Sequence, residues 1–355
     1  ELERDVPDPS AIEAPLPLDG ATTYVRVMRF GEEAARDLEE ALEREAEEGR
    51  RRIVLDLRGN PGGLVTEAVE TAALFLPEDV TVFSTRGRKR DVDRDYVTED
   101  RGDLRNMRLV VLIDEGSASA AEAVAGALQD LDRAVLVGRR TFGKALIQAP
   151  FFLPDGDIVW LTVGRVLTPS GRVIQRDYRG LTADQYRSFA GTSVVPEGGD
   201  SLPLFRTKGG RPVRGGGGIS PDLETPGSPP PPPWWSAARE AGWIQEVVDE
   251  AAATLSVDPA DGSDPWRGDE ARHDALVDSL LRRVRAELDV AAEPGPPLRS
   301  WMRRTVAGRV ASVRWGVDAG SAFRVHTDPD VRAAVEAFPD WNRILAGTRS
   351  EAPDR

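Results

Sequence analysis

The stretch "RLVVLIDEGSASAAEAVAGALQD", Arg108–Asp130, sets an apolar run of strand length against a small-residue helical run, with serines at 117 and 119 in the turn between them. A buried strand that feeds a helix is the repeating unit of an α/β layer. The turn at the carboxyl end of such a strand is where these folds expose chemistry. Ser119, at the start of the helix, is therefore either a nucleophile or a helix start built from small residues. The rest of the chain has to decide between them.

The neighbouring segments repeat the unit. "TYVRVMRF", "RIVLDLRG", "VTVFST" and "AVLVG" read as strands, and helical patterns fall near 32–49, 65–75 and 119–131. Strand–helix alternation predicts a largely parallel sheet. "LIQAPFFLPDGDIVWLTVGRVLT" predicts a β-hairpin, with Pro154, Asp155 and Gly156 supplying the turn. Residues 1–21 are rich in proline and acid and read as a linker, residues 22–226 as the core, and residues 227–235, with five consecutive prolines, as a second, stiff linker. Residues 236–355 carry helical patterns throughout and read as an all-helical appendix. Its tryptophans at helical spacing read as core rather than as a binding surface.

Composition removes several classes of function. The chain has 355 residues, a formal net charge of −14 and no cysteine. The acidity argues against nucleic-acid binding, and without cysteine there is neither a disulfide framework nor a thiolate nucleophile. No apolar run is long enough to span a bilayer. No compact cluster of metal-ligating residues stands out, so neither a metal nor any other cofactor is expected. The two histidines, His273 and His326, both lie beyond the proline linker, so a Ser-His-Asp relay inside the core would need a residue from the appendix.

That leaves lysine. Of 46 basic residues only Lys89, Lys144 and Lys208 are lysines. Arginine cannot serve as a base, whereas an amine in apolar surroundings can. From Ser119 a helix of about a dozen residues travels roughly 20 Å. The strand "RAVLVG", at ~3.3 Å per residue, returns about as far, so the turn "RRTFGK" can bring Lys144 back to the level of Ser119. Phe142, Ala145 and Leu146 are expected to enclose the amine. Gln148, four residues on, would share its strand face and orient it. The loop "DLRGNPGGL", 56–64, follows another apolar strand. Its Gly63 N–H, with that of Ala120 in the first helical turn, could form an oxyanion hole.

"DLRGNPGG", "VVLIDEGSASAAEAVAGALQD" and "VLVGRRTFGKALIQ", in this order, resemble the core of the carboxyl-terminal processing, or tail-specific, serine proteases. The resemblance runs over roughly residues 22–225 and includes the closing "GGRPVRGGGGISPDLE". It implies a Clp-protease/crotonase-like α/β core and a Ser-Lys endopeptidase. By position, Ser119 would be the nucleophile, Lys144 the general base, Gln148 the orienting residue, and Gly63 and Ala120 the oxyanion donors. It also implies protein or peptide substrates, unfolded or with an apolar C-terminus, and an exported, periplasmic or cell-envelope location.

Departures from the family pattern are local. No PDZ domain precedes the core in this sequence, and the first residues resemble the tail that follows one. Ala121 stands where many members have serine, and Ala145 where glycine is frequent. Residues 176–210 resemble the insert of a long-insert branch, while the helical appendix matches nothing and would pack on the core or mediate self-association. Two other readings keep the fold: an inert peptide-binding or scaffold homologue, and an acyl-CoA enzyme of the crotonase type, which has no need of the Ser119–Lys144–Gln148 set. A third makes the appendix, as an interaction scaffold, the functional part.

Overall fold

The computed structural model of the chain describes residues 11–99, 104–179, 182, 202–255, 265–290 and 293–347. They form two compact units, one of Glu1–Thr225 together with Ala333–Arg355, the other of Pro226–Arg332. Most of the insert expected at 176–210 lies outside the described residues.

The first unit is built on six strands in the order β1-β2-β3-β6-β7-β12. These are β1 Leu16–Pro17, β2 Thr22–Arg26, β3 Arg52–Asp56, β6 Arg108–Ile113, β7 Ala134–Gly138 and β12 Leu223–Glu224. All neighbours run parallel except β1, which is antiparallel to β2. Strands covered on both faces can be apolar throughout. In β6, Leu109 to Ile113 are all fully buried, and so are the apolar residues of β3 and β7. Residues 11–17 run along this sheet: Ala11 and Ile12 are buried, Ile12 bridges Val27, and β1 pairs with β2.

A second, antiparallel sheet has the order β5-β4-β9-β8, with β4 Thr81–Gly87, β5 Arg94–Val97, β8 Leu146–Phe152 and β9 Ile158–Leu167. β8 and β9 are the expected hairpin. Its turn closes through Gly156 N–H to Leu153 O at 3.0 Å and Leu153 N–H to Asp157 O at 2.8 Å, with Gly156 at φ 92°. The short pair β10 Leu204–Arg206 and β11 Pro212–Arg214 completes the strands.

Helices α1 Ala34–Glu47, α2 Val65–Ala73 and α3 Ala120–Asp130 cover the sheets. Every residue of α3 is buried. Its small side chains are required by close packing: a Cβ on Gly126 would lie 3.0 Å from Thr168 and 3.1 Å from Ile219. The polar residues of so buried a helix need partners. Gln129 donates to Ser220 O and accepts from Arg172, whose guanidinium also pairs with Asp130 at 2.7 Å, with both side chains fully buried.

The second unit comprises α4 Trp235–Glu240, α5 Trp243–Thr254, α6 Pro265–Gly268, α7 Glu270–Leu288, α8 Pro296–Trp315 and α9 Val317–Thr327. Its apolar core includes Trp266, with Trp234, Trp235, Trp243, Trp301 and Trp315 packed against it. His273 lies inside this core, its ring 4.5 Å from that of Trp266, and burial lowers its proton affinity. α10 Pro329–Glu336 and α11 Trp341–Leu345 follow. The end of the chain is tied to the central sheet of the first unit by Trp341 Nε1–H to Leu109 O at 2.8 Å and by Arg108 to Phe338 O at 3.4 Å. Trp341→Phe keeps the ring and removes only the donor. It should lower the unfolding free energy by about 1 kcal/mol, read from the urea midpoint at unchanged slope.

Candidate active site

The turn after β6 is assembled before any catalytic role enters. Ser117 is buried; its hydroxyl donates to Leu57 O at 2.7 Å and accepts from Asp114 N–H at 3.0 Å. Asp114 in turn accepts from Gly59 N–H and Gly116 N–H. Ser117 is thus a strut between the β6 turn and the glycine loop. Ser119 differs from it. It is half-buried, it precedes α3, and its backbone sits at φ 57°, ψ −115°. This lies outside the small left-handed region that non-glycine residues tolerate. Such a conformation costs of order 1–3 kcal/mol and persists where surroundings over-determine it.

The glycine loop supplies one side of those surroundings. Asn60 donates through Nδ2 to Val27 O at 2.9 Å and accepts from Gly62 N–H at 2.8 Å, while its own carbonyl accepts from Ala118 N–H at 2.9 Å. A Cβ on Gly62, at φ 102°, would fall 2.9 Å from both Ser119 Cβ and Ala120 N. Only glycine allows that approach. Phe30 flanks the loop, with Phe30 N–H to Gly62 O at 3.0 Å and Leu64 N–H to Phe30 O at 2.8 Å. The N–H groups of Gly63 and Ala120 donate to no acceptor among the described residues.

Glu122 supplies the other side. Its side chain is fully buried, and its two oxygens accept four hydrogen bonds. Oε2 takes Ser119 N–H at 2.9 Å and Lys144 N–H at 2.8 Å. Oε1 takes the Thr141 hydroxyl and Gly143 N–H, each at 2.6 Å. The turn after β7 does return to the level of Ser119, as helix and strand lengths require: Phe142 N–H donates to Ser117 O at 3.0 Å. The backbones of Ser119 and Lys144 therefore share one carboxylate oxygen.

The surroundings of Lys144 differ from expectation. Its side chain is exposed, with Ala145 buried and Phe142 and Leu146 half-buried, so those neighbours do not enclose the amine. The reason lies in the backbone. Gly143 O accepts from Arg176 N–H, Ala145 N–H donates to the Gln175 side chain, and Ala145 O accepts from Val166 N–H. This holds Lys144 outside the strand, which begins only at Leu146. Phe142 is turned to the Arg176 guanidinium, 4.6 Å from its ring centre. Gln148 is exposed on β8 just past a register shift between Ile147 and Gln148, so the four-residue spacing does not carry the two side chains along one regular strand face.

A family-wide sequence comparison matches residues 21–186 to peptidase family S41. The match covers just under half of the chain, and it lies in the first unit. The chain is 42% identical over 165 residues to "Carboxyl-terminal-processing peptidase 1, chloroplastic" of Arabidopsis thaliana, covering 45% of this chain and 34% of that protein. It is 40% identical over 153 residues to the "Carboxyl-terminal-processing protease" of Synechocystis sp., covering 43% of this chain and 35% of the relative. Among solved structures, the photosystem II D1 C-terminal processing protease is 35% identical with a TM-score of 0.41, over 46% of this chain and 42% of that one. The chain thus spans about a third of the length of the curated relatives it matches. No helix among the described residues is long and apolar enough to cross a membrane.

Glu122, Thr141 and Asn60 are residues of this candidate site that sequence reasoning passed over. The signal for Glu122 was present in Ser119-x-x-Glu122, the spacing of a capping box, and in the structure the glutamate accepts the Ser119 N–H. Burial pushes the Glu122 carboxyl up to about 7, against the pull of its four donors. The native state therefore binds this proton more tightly than the unfolded chain. The stabilisation is fully present below the ordinary value of 4.5 and is lost as pH rises through about 7, a span worth roughly 3 kcal/mol. Denaturation midpoints measured across that window should fall with pH, and Glu122→Gln should remove this component of the slope. The same substitution sets an amide NH2 against at least one backbone N–H and should cut activity at least tenfold. An unchanged slope would mean that Glu122 does not titrate there.

Proposed function

We propose that the core is a serine endopeptidase of the carboxyl-terminal processing type, with Ser119 as nucleophile and Lys144 as general base. The observation that carries this is the Glu122 oxygen bound by the N–H groups of both residues. A serine in a strained turn, half-exposed at a helix start and tied through one atom to a lysine, has the parts of an activated nucleophile. The neutral Lys144 amine takes the hydroxyl proton as Ser119 Oγ attacks the peptide carbonyl. The oxyanion is received by the N–H groups of Gly63 and Ala120, the two donors left over by the loop and the helix start. The ammonium then returns its proton to the departing amine, leaving an acyl-serine. Water, deprotonated by the same amine, releases the product. Gln148, the first exposed side chain on β8 after Lys144, orients the amine without adding charge.

Because Lys144 is exposed in the free chain, its desolvation falls to the bound substrate. An unfolded segment or an apolar C-terminus suits that task, since apolar groups laid over the site exclude water from it. An exported, cell-envelope location belongs to the same proposal.

Mass spectrometry of an unfolded protein ending in an apolar C-terminus should reveal peptide-bond cleavage, and a serine-directed probe should label Ser119 and not Ser117. Lys144→Arg keeps the charge and removes the base, so cleavage should fall by about 10²-fold or more. Near-normal cleavage by that variant would sink the Ser-Lys assignment. Ser119→Ala and Ser119→Gly should both be inactive. The glycine variant, free of the positive-φ penalty, should be the more stable of the two by about 1 kcal/mol in urea unfolding.

A further inference from the structure

A cleft of about 850 Å³ opens within the first unit. Its walls include β12, which is the last strand of the central sheet, the turn after β7, and residues between 333 and 347. None of Ser119, Lys144, Gln148, Gly63 and Ala120 lines it. Five arginines and four carboxylates do, and most of them are matched. Arg172 pairs with Asp130 at 2.7 Å, Arg211 with Asp132 and Asp222 at 2.6 Å each, and Arg343 with Asp340 at 2.6 Å. Arg214 donates to Leu202 O at 3.4 Å. Three charges are left over. Arg140, Glu224 and Glu336 make no hydrogen bond or ion pair among the described residues.

Arg140 is the telling one. It is half-buried, and its Nη1 is shut off from water with no hydrogen-bond partner. A Cβ on Gly217 would lie 3.3 Å from that nitrogen, so backbone closes one side of the guanidinium and the cleft is its open side. Burial lowers its proton affinity, with Glu224 opposing and Arg214 adding to the effect. A guanidinium so placed has lost hydration without gaining a partner. Its planar fork fits a carboxylate.

The other leftover charges narrow the ligand. A polyphosphate would meet Glu224 and Glu336, both exposed and unmatched, and like charges facing each other oppose binding. An inorganic oxyanion would use little of a cleft this large. A molecule with a carboxylate at one end and an ammonium at the other satisfies both signs. β12 has no strand beyond it, and an edge strand offers backbone donors and acceptors to an extended chain.

We propose that this cleft is a second, non-catalytic site for a short peptide with free ends. Arg140 holds the terminal carboxylate, Glu336 the amino group, and the edge of β12 the backbone between them. The site adjoins the catalytic framework, because Thr141, the residue after Arg140, donates to Glu122. The proposal does not depend on the catalytic assignment.

Isothermal titration calorimetry on the full chain carrying Ser119→Ala, which prevents turnover, tests it with tetra-alanine as probe. The free peptide should bind. Its C-terminal amide should bind about tenfold more weakly or worse, and so should the free peptide to Arg140→Gln added to the same chain. N-acetylation of the peptide, or Glu336→Gln, should weaken binding about threefold, as suits an exposed charge pair. Arg140→Gln removes a guanidinium that holds no protein group, so circular dichroism and the urea midpoint should not fall. No binding of tetra-alanine, or equal binding of acid and amide, would overturn the proposal. So would unchanged affinity in Arg140→Gln, since the peptide would then lie elsewhere, in the candidate active site for instance. Sodium phosphate binding as tightly as the peptide would show an anion site only and would overturn the peptide assignment. Unchanged affinity in Glu336→Gln would overturn the placement of the amino group.

Discussion

One carboxylate organises the candidate site. Glu122 is fully buried, and its only compensation for leaving water is the set of four donors around it. Those donors come from two segments more than twenty residues apart in sequence, the start of α3 and the turn after β7. A buried acceptor with four directed bonds has one low-energy arrangement of its surroundings, and losing any donor leaves it under-satisfied in a low-dielectric place. The relative position of the Ser119 and Lys144 backbones is therefore set by hydrogen bonds that neither side chain makes.

The same logic extends outward. Thr141 donates to Glu122 and accepts from Ile219 N–H at 2.7 Å, while its own N–H donates to Ile219 O. The segment from Gly215 to Gly218 is brought against this point so closely that a Cβ on Gly218 would lie 2.4 Å from Thr141 O. On the opposite side Asn60 fixes the glycine loop and Asp114 links it to the β6 turn. The strain at Ser119 is sustained by these two clamps. Glycine would fit the torsion better.

Much of this was legible in the sequence. The buried strands announced themselves as continuous apolar runs, the hairpin by its Pro-Asp-Gly turn, and the return of the Lys144 turn to Ser119 by the lengths of α3 and β7. The exposure of Lys144 was not, because apolar neighbours in sequence say nothing about where a side chain points once hydrogen bonds fix the backbone. The spacing argument that placed Gln148 on the face of Lys144 does not apply for a related reason: a one-residue irregularity in the ladder interrupts the period-two rule on which it rested. The packing of Ile12 against Val27 and the attachment of Trp341 to β6 depend on contacts distant in sequence, which local periodicity does not record.

The β8–β9 arm shows how the fold separates two requirements. Near Glu122 four donors are committed to one carboxylate, which ties the start of α3 to the turn after β7. Past Gln148 the ladder leaves that network, and its side chains face solvent on both sides. A surface so apolar persists in water only if something covers it for much of its life. The committed end and the apolar end belong to one strand, β8, which begins two residues after Lys144. The register shift between Ile147 and Gln148 lies between the two ends.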